Sequence, residues 1–182
     1  TIKLSRALSR LEDGHLGGRT IETMRRALAR IAQSRSSQAV EQVHLLLDDG
    51  QIDGAMRAAG FDEEGISRNR SLFYDTAAVT GLQAGDPRSI NVIPPTSTAY
   101  IDGRILPGQT LSGFLDLLRR RAGDEVEVEL YQSQFSPGLE SSVDHPIIDT
   151  IARVIAQRCD GATLIPWQCA GSTDAKHLIP LG

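Results

Sequence analysis

Aromatic residues are scarce in this chain, with four Phe, three Tyr and one Trp among 182 residues. A platform for single-stranded nucleic acid needs aromatic faces on which bases stack, so that class of ligand is a poor fit. Cysteine is scarcer still. Cys159 and Cys169 make no disulfide framework, and the nine residues between them miss the tight spacings of zinc knuckles. Two reduced cysteines in a cytoplasmic protein, at least one of them in the core, is the plainer reading. Long apolar runs are missing, and nothing approaches the roughly 18 residues that a membrane helix needs. No basic stretch followed by an apolar one opens the chain as a secretory leader would. The four histidines, His15, His44, His145 and His177, have no second histidine at i, i+4 and no His-x-Asp pattern. A zinc cage is therefore not spelled out by them.

Hydrophobic residues make up 40% and charged ones 23%. A compact chain of this length buries about 70% of its unfolded surface, enough for a core without metal or disulfide. Charge is uneven. Residues 1–40 hold eight Arg and Lys against Glu12, Asp13 and Glu22, a net of +5, which leaves −9 for the rest of a chain whose net charge is −4. The arginines fall on polar faces of amphipathic helices, so a solvated surface fits better than a basic arm for nucleic acid.

Thr1-Ile2-Lys3 carries no initiator Met, and Leu4, Leu8 and Leu11 already keep helical spacing, so the chain reads as cut from something longer. A first helix is expected from Thr1 to Asp13, broken by Gly14, Gly17 and Gly18. A second follows a Thr20 cap, with Met24, Ala27, Leu28 and Ile31 as its apolar stripe. A third carries Val40, Val43, Leu46 and Leu47, and Gln51 to Ala59 forms a short fourth. Beyond Gly65 the character changes. Leu72–Leu82 reads as a strand, and Thr98–Leu106 alternates with Ala99, Ile101 and Ile105 on one face. Thr110 caps a helix bearing Leu111, Phe114, Leu115 and Leu118. Asp124–Leu130 alternates again, with Val126, Val128 and Leu130 inward and three glutamates outward. After a Ser/Gly/Pro-rich linker, Asp144 caps a helix whose Ile148, Ile151, Val154 and Ile155 face inward. Ala162–Ile165 then reads as a short strand and the remainder as loop. Helices followed by strand, strand, helix, strand make a two-layer α+β domain.

Four stretches suggest chemistry: Asn91-Val92-Ile93-Pro94-Pro95, Asp102-Gly103-Arg104-Ile105-Leu106-Pro107-Gly108, Asp144-His145-Pro146, and Gly171-Ser172-Thr173-Asp174-Ala175. Each alone has a bland reading, such as an edge-strand proline or an arginine neutralised by Asp102. In this order and spacing, they resemble the M20 family of metallopeptidases and amidohydrolases. That family's lid carries an N-V-I-P turn and a D-x-R-x-L-P-G strand end, and its catalytic domain resumes with D-H-P and later G-G-T-D-A-R. The likeness is close from Ile90 to Lys176 and loose in the helical first half. Ser172 replaces a frequent glycine and Lys176 a frequent arginine. The roles of Lys176, His177 and the extra helices at 19–59 stay open.

The resemblance implies a ferredoxin-like lid, an antiparallel sheet with helices on one face, over residues 1–133, elaborated by helices at 13–60. Residues 134–182 would then be an incomplete piece of an α/β catalytic domain. It implies a hydrolase of peptide or N-acyl amide bonds in small substrates, with two Zn2+ per active site and a homodimer formed through the lid. The metal ligands and catalytic glutamate would lie outside these residues, leaving this chain without catalysis of its own. Asp62-Glu63-Glu64-Gly65 mimics the family's catalytic D-E-E-G, but it follows the lid helices instead of preceding them and reads as a surface acidic turn. Asn91 and Arg104 match residues that hold a substrate carboxylate or carbonyl oxygen, and a guanidinium fork suits that task. Gly171, Ser172 and Thr173 match a loop lining the substrate pocket. A non-catalytic α+β binding or regulatory module is the alternative, since such sheets host many unrelated functions.

Overall fold

Good helix formers interrupted by glycine dominate the first third of the chain, and they fold into short helices. The computed structural model describes residues 1–133, 135–171 and 173–179. In chain order the elements are α1 (Ile2–Ser9), β1 (His15–Gly18), α2 (Glu22–Gln33), α3 (Ser37–Asp48), α4 (Ile52–Ala59) and α5 (Glu63–Asn69). They continue with β2 (Tyr74–Ala84), β3 (Ser97–Arg104), α6 (Leu111–Ala122), α7 (Pro146–Arg158) and the single turn α8 (Ala175–Leu178). Two compact units result, one joining Thr1–Gly18 to Tyr74–Gly138, the other joining Arg19–Phe73 to Leu139–Gly182.

The first unit is the α+β domain that the hydrophobic pattern predicts. Its antiparallel sheet has the order β1-β2-β3. The long β2–β3 ladder runs from Thr76 opposite Arg104 to Ala84 opposite Ser97, with Thr80 as an extra residue between Val79 and Gly81. Such a bulge bends and twists the strand that carries it. Helices α1 and α6 cover the sheet. Leu11, Ala77, Phe114 and Leu118 form the buried cluster, and Leu8, Leu16, Ile101, Ile105 and Val128 pack around it. The alternation expected of β3 therefore holds at Ile101 and Ile105. Thr110 caps α6 as expected, its Oγ1 accepting from the Gly113 N–H at 3.1 Å.

Two expectations in this unit are corrected. The first helix stops at Ser9, and the glycine-rich stretch after it is the strand β1, paired with β2 through His15 opposite Thr76. Glycines that break a helix leave the backbone able to pair wherever a partner strand lies alongside. Asp124–Leu130 is not a strand. Val126 and Val128 are half-buried and Glu127 and Glu129 exposed, but Glu125 is half-buried and Leu130 exposed, so the expected alternation holds only in the middle of the stretch and without a ladder. The Val128 carbonyl accepts instead from the Arg119 guanidinium at 3.1 Å. A side chain has taken the place of the cross-strand partner.

In the second unit α2, α3, α4 and α5 pack on one another around Met24, Leu28, Val43, Met56 and Ile66, all essentially removed from solvent. The Ser36 hydroxyl caps α3, accepting from Ala39 N–H at 3.1 Å. Gly60 ends α4 in the left-handed region, φ 107°, where a side chain would be strained. Thr20 does not cap α2. The preceding residue is Ile21, which offers no side-chain oxygen, and the Glu140 carboxylate accepts from both the N–H and the Oγ1 of Thr23 at 2.6 Å. An acid at a helix N-terminus meets the unpaired N–H groups and the positive end of the dipole. The acidic stretch at 62–65 opens α5, with Asp62 accepting from the Gly65 N–H at 2.8 Å.

The C-terminal part departs most from expectation. His145, not Asp144, caps α7, its Nδ1 accepting from the Ile147 N–H at 3.2 Å. Asp144 is engaged by the Arg26 guanidinium through two hydrogen bonds of 2.5 and 2.9 Å. Ile151 and Val154, expected to face inward, are 40% and 51% exposed. Ala162–Ile165 forms no strand, although Leu164 and Ile165 are half-buried. Apolar spacing marks a face but does not by itself supply the surface that covers it.

Candidate functional site

Arg104 is the last residue of β3, opposite Thr76 of β2. Its side chain is 63% exposed, and its Nε donates to Asp102 Oδ2 at 3.1 Å. Asp102 lies two residues back on the same strand, as the sequence pattern required. The intervening Gly103 faces the other way. A Cβ there would lie 2.6 Å from Cε1 and Cζ of Phe114, so only glycine lets β3 run this close to α6. The result is a guanidinium held at a strand end where an anionic group can reach it.

Asn91 is exposed, within the loop between β2 and β3. The Val92 N–H donates to the Ser89 carbonyl at 3.0 Å, and the Ser89 N–H to the Asp86 carbonyl at 2.9 Å, so the loop is built of tight turns. Arg88 donates to both carboxylate oxygens of Asp86 and holds that acid below the usual carboxylate range. Ile90 and Ile93 beside Asn91 are 92% and 91% exposed. The structure does not bring Asn91 and Arg104 together. They belong to opposite ends of the hairpin, since Ser97 to Arg104 spans seven residue steps, about 23 Å at strand rise.

Gly171 and Thr173 belong to the second unit, in the loop before α8, and both are exposed. Thr173 Oγ1 accepts from the Ala175 N–H at 3.2 Å and so starts the α8 turn. Among the described residues, a Cβ at Gly171 would meet only Cys169 Sγ, at 3.8 Å. Ser172 lies outside the described residues. Lys176 and His177 are exposed on α8.

Two polar residues of this region escaped the sequence reading. Asp75 on β2 is fully buried, accepting from the Leu106 N–H at 2.8 Å and from Gln109 Nε2 at 2.5 Å. The signal was present: a single acid interrupts the otherwise uncharged run from Leu72 to Leu82, and Gln109 closes the turn after β3.

Among the described residues, no three His, Cys, Asp or Glu side chains come together as a metal cage. His15 packs edge-on against Tyr74 with centroids 5.4 Å apart, His145 caps α7, His44 is half-buried on α3, and His177 is exposed. Among the described residues this donor set does not fit a di-zinc centre. Cys159 and Cys169 are free and both exposed, so neither is the core residue expected of them. No helix among the described residues is long and apolar enough to cross a membrane.

Comparison with known proteins adds a family. The pattern of the peptidase dimerisation domain matches residues 6–128. The N-fatty-acyl-amino acid synthase/hydrolase PM20D1 of Xenopus tropicalis is 35% identical over 113 residues, 61% of this chain and 22% of that protein. The mouse protein of the same name is 30% identical over 112 residues, 59% of this chain and 22% of its own length. The match thus spans about a fifth of these relatives. No solved structure matches the chain.

Proposed function

Because this chain belongs to the M20 peptidase family, through its dimerisation domain over residues 6–128, we propose that it is the substrate-binding and dimerising part of a larger di-zinc hydrolase. The lid occupies residues 1–133, with the helices at 13–60 as an elaboration, and residues 134–182 belong to the catalytic domain. Zinc and the catalytic glutamate are held elsewhere in the whole protein. The substrates are small molecules with a peptide or N-acyl amide bond. The frog and mouse relatives are named for N-fatty-acyl amino acids, which favours an acyl group on an amino acid with a free carboxylate. The setting is cytoplasmic, in keeping with two free, exposed cysteines.

The observation that carries this reading is the position of Arg104. Arg104 ends β3 opposite Thr76, with its guanidinium exposed and beside Asp102. A planar fork of N–H donors pairs with a carboxylate through two parallel hydrogen bonds. Asn91 adds an amide N–H2 as a directional donor, and the hairpin geometry means it contacts the same substrate only with a second protomer or a large rearrangement. Gly171, Ser172 and Thr173 are taken as further substrate-binding residues on their match to the family loop that supplies backbone N–H and hydroxyl donors.

The decisive experiment uses the full-length enzyme with Arg104→Ala, assayed on an N-acyl amino acid and on the corresponding carboxamide. Loss of the preference for the acid is expected, and an unchanged preference overturns the reading. Sedimentation equilibrium of the chain itself should give about twice 19.7 kDa. With zinc and substrate added, the isolated chain should show no hydrolysis above background, and clear turnover would mean the metal site is within these residues after all.

A further inference from the structure

Asp75 is the one charged side chain buried among the described residues, with 0% exposure. Both of its hydrogen-bond donors are neutral, the Leu106 N–H and the Gln109 amide. Gln109 is engaged at both ends, because its Oε1 accepts from the Thr110 N–H at 3.0 Å. Thr110 is the cap of α6, so the carboxylate on β2 is linked through Gln109 to a helix N-terminus, whose partial positive charge favours an anion. Removing a carboxylate from water and giving it neutral partners is a costly way to hold a turn. A neutral asparagine or threonine would tie Leu106 with less desolvation. What the two hydrogen bonds of Asp75 do is tie the turn after β3 to β2.

The turn from Leu106 to Gln109 begins two residues after Arg104. Asp75 is also the neighbour of Thr76, which pairs with Arg104 across the sheet. On the far side, Gly103 rests against the Phe114 ring. We infer that Asp75 and Gln109 are positioning residues for Arg104, fixing the β3–α6 turn so that the guanidinium is presented at a set place and angle to a substrate carboxylate. The inference rests on the proposed role of Arg104. A side chain as long as arginine reaches its ligand productively only if its strand end does not move, and displacements near 1 Å are enough to weaken such contacts severely.

The test compares KM and kcat of the full-length enzyme on an N-acyl amino acid and on its carboxamide. Gln109→Ala should raise KM for the acid about tenfold, with kcat changing much less and the carboxamide KM unmoved. Asp75→Asn should shift the same quantity in the same direction but less, because its Oδ1 still accepts from Leu106. If Asp75→Asn does not fold, Gln109→Ala alone decides. An equal rise of KM on both substrates, or no rise, overturns the positioning role provided that Arg104→Ala has abolished the acid's advantage. An Arg104→Ala enzyme that keeps the advantage instead overturns the role of Arg104, and the positioning role with it.

Discussion

Gly103→Ala should destabilise the first unit by about 1–3 kcal/mol, the usual cost of forcing an extra methyl into a packed core. A Cβ at this position would sit 2.6 Å from two Phe114 ring carbons. Ordinary carbon–carbon contact is about 3.5–4.0 Å, so ring or strand must retreat by about 1 Å. Neither has room to do so. Phe114 is buried in a cluster with Leu11, Ala77 and Leu118, and β3 is tied to β2 along its whole length. Urea denaturation followed by far-UV circular dichroism gives the loss, and hydrogen exchange at β2–β3 amides assigns it to this unit. Phe114→Leu supplies the control. If the clash is the cause, the double variant should be more stable than the two single losses predict, by about 0.5–3 kcal/mol. A Gly103→Ala protein within about 0.5 kcal/mol of wild type, or strictly additive losses, would refute the argument.

Ser36→Ala removes the hydroxyl that caps α3 and should cost about 1 kcal/mol in urea denaturation, with Ser36→Asp restoring most of it. Asp144→Asn probes acid linkage. Arg26 holds the Asp144 carboxyl below the usual carboxylate range, chiefly by direct hydrogen bonds. A depressed folded value means the contribution is complete above the unfolded pKa and is lost as pH falls through the folded one. The melting-temperature gap between wild type and Asp144→Asn should be full at neutral pH, close below about pH 4 and shrink in high salt, whereas a gap independent of pH would contradict the pairing.

Local pattern determined most of what is regular here. The apolar stripe through Met24, Ala27 and Leu28 made α2 legible, and those residues are buried where the periodicity put them. The Thr110 cap and the Ile101/Ile105 alternation were legible for the same reason: a helix turn and a strand pleat each impose their own short period on the chain. Even the motif around Arg104 could be read, because Asp102 and Arg104 share a face through period two alone.

Tertiary structure decided the rest, wherever a backbone or side-chain group takes a partner far away in sequence. His15–Gly18 is a strand because Tyr74–Thr76 lies beside it, whereas Asp124–Leu130 has the right alternation but gives its Val128 carbonyl to Arg119. Helix α2 is capped by Glu140, over a hundred positions away, and Asp144 was drawn from its expected cap by Arg26. Asp75, which the strand pattern alone passes over, is a buried tie to Leu106 and Gln109. Asn91 and Arg104 looked like neighbours at a separation of thirteen residues, yet a hairpin ladder puts its two ends about 23 Å apart. A sequence records the short periods of helix and strand, but which distant group satisfies a given N–H, carbonyl or charge is settled only when the chain is packed.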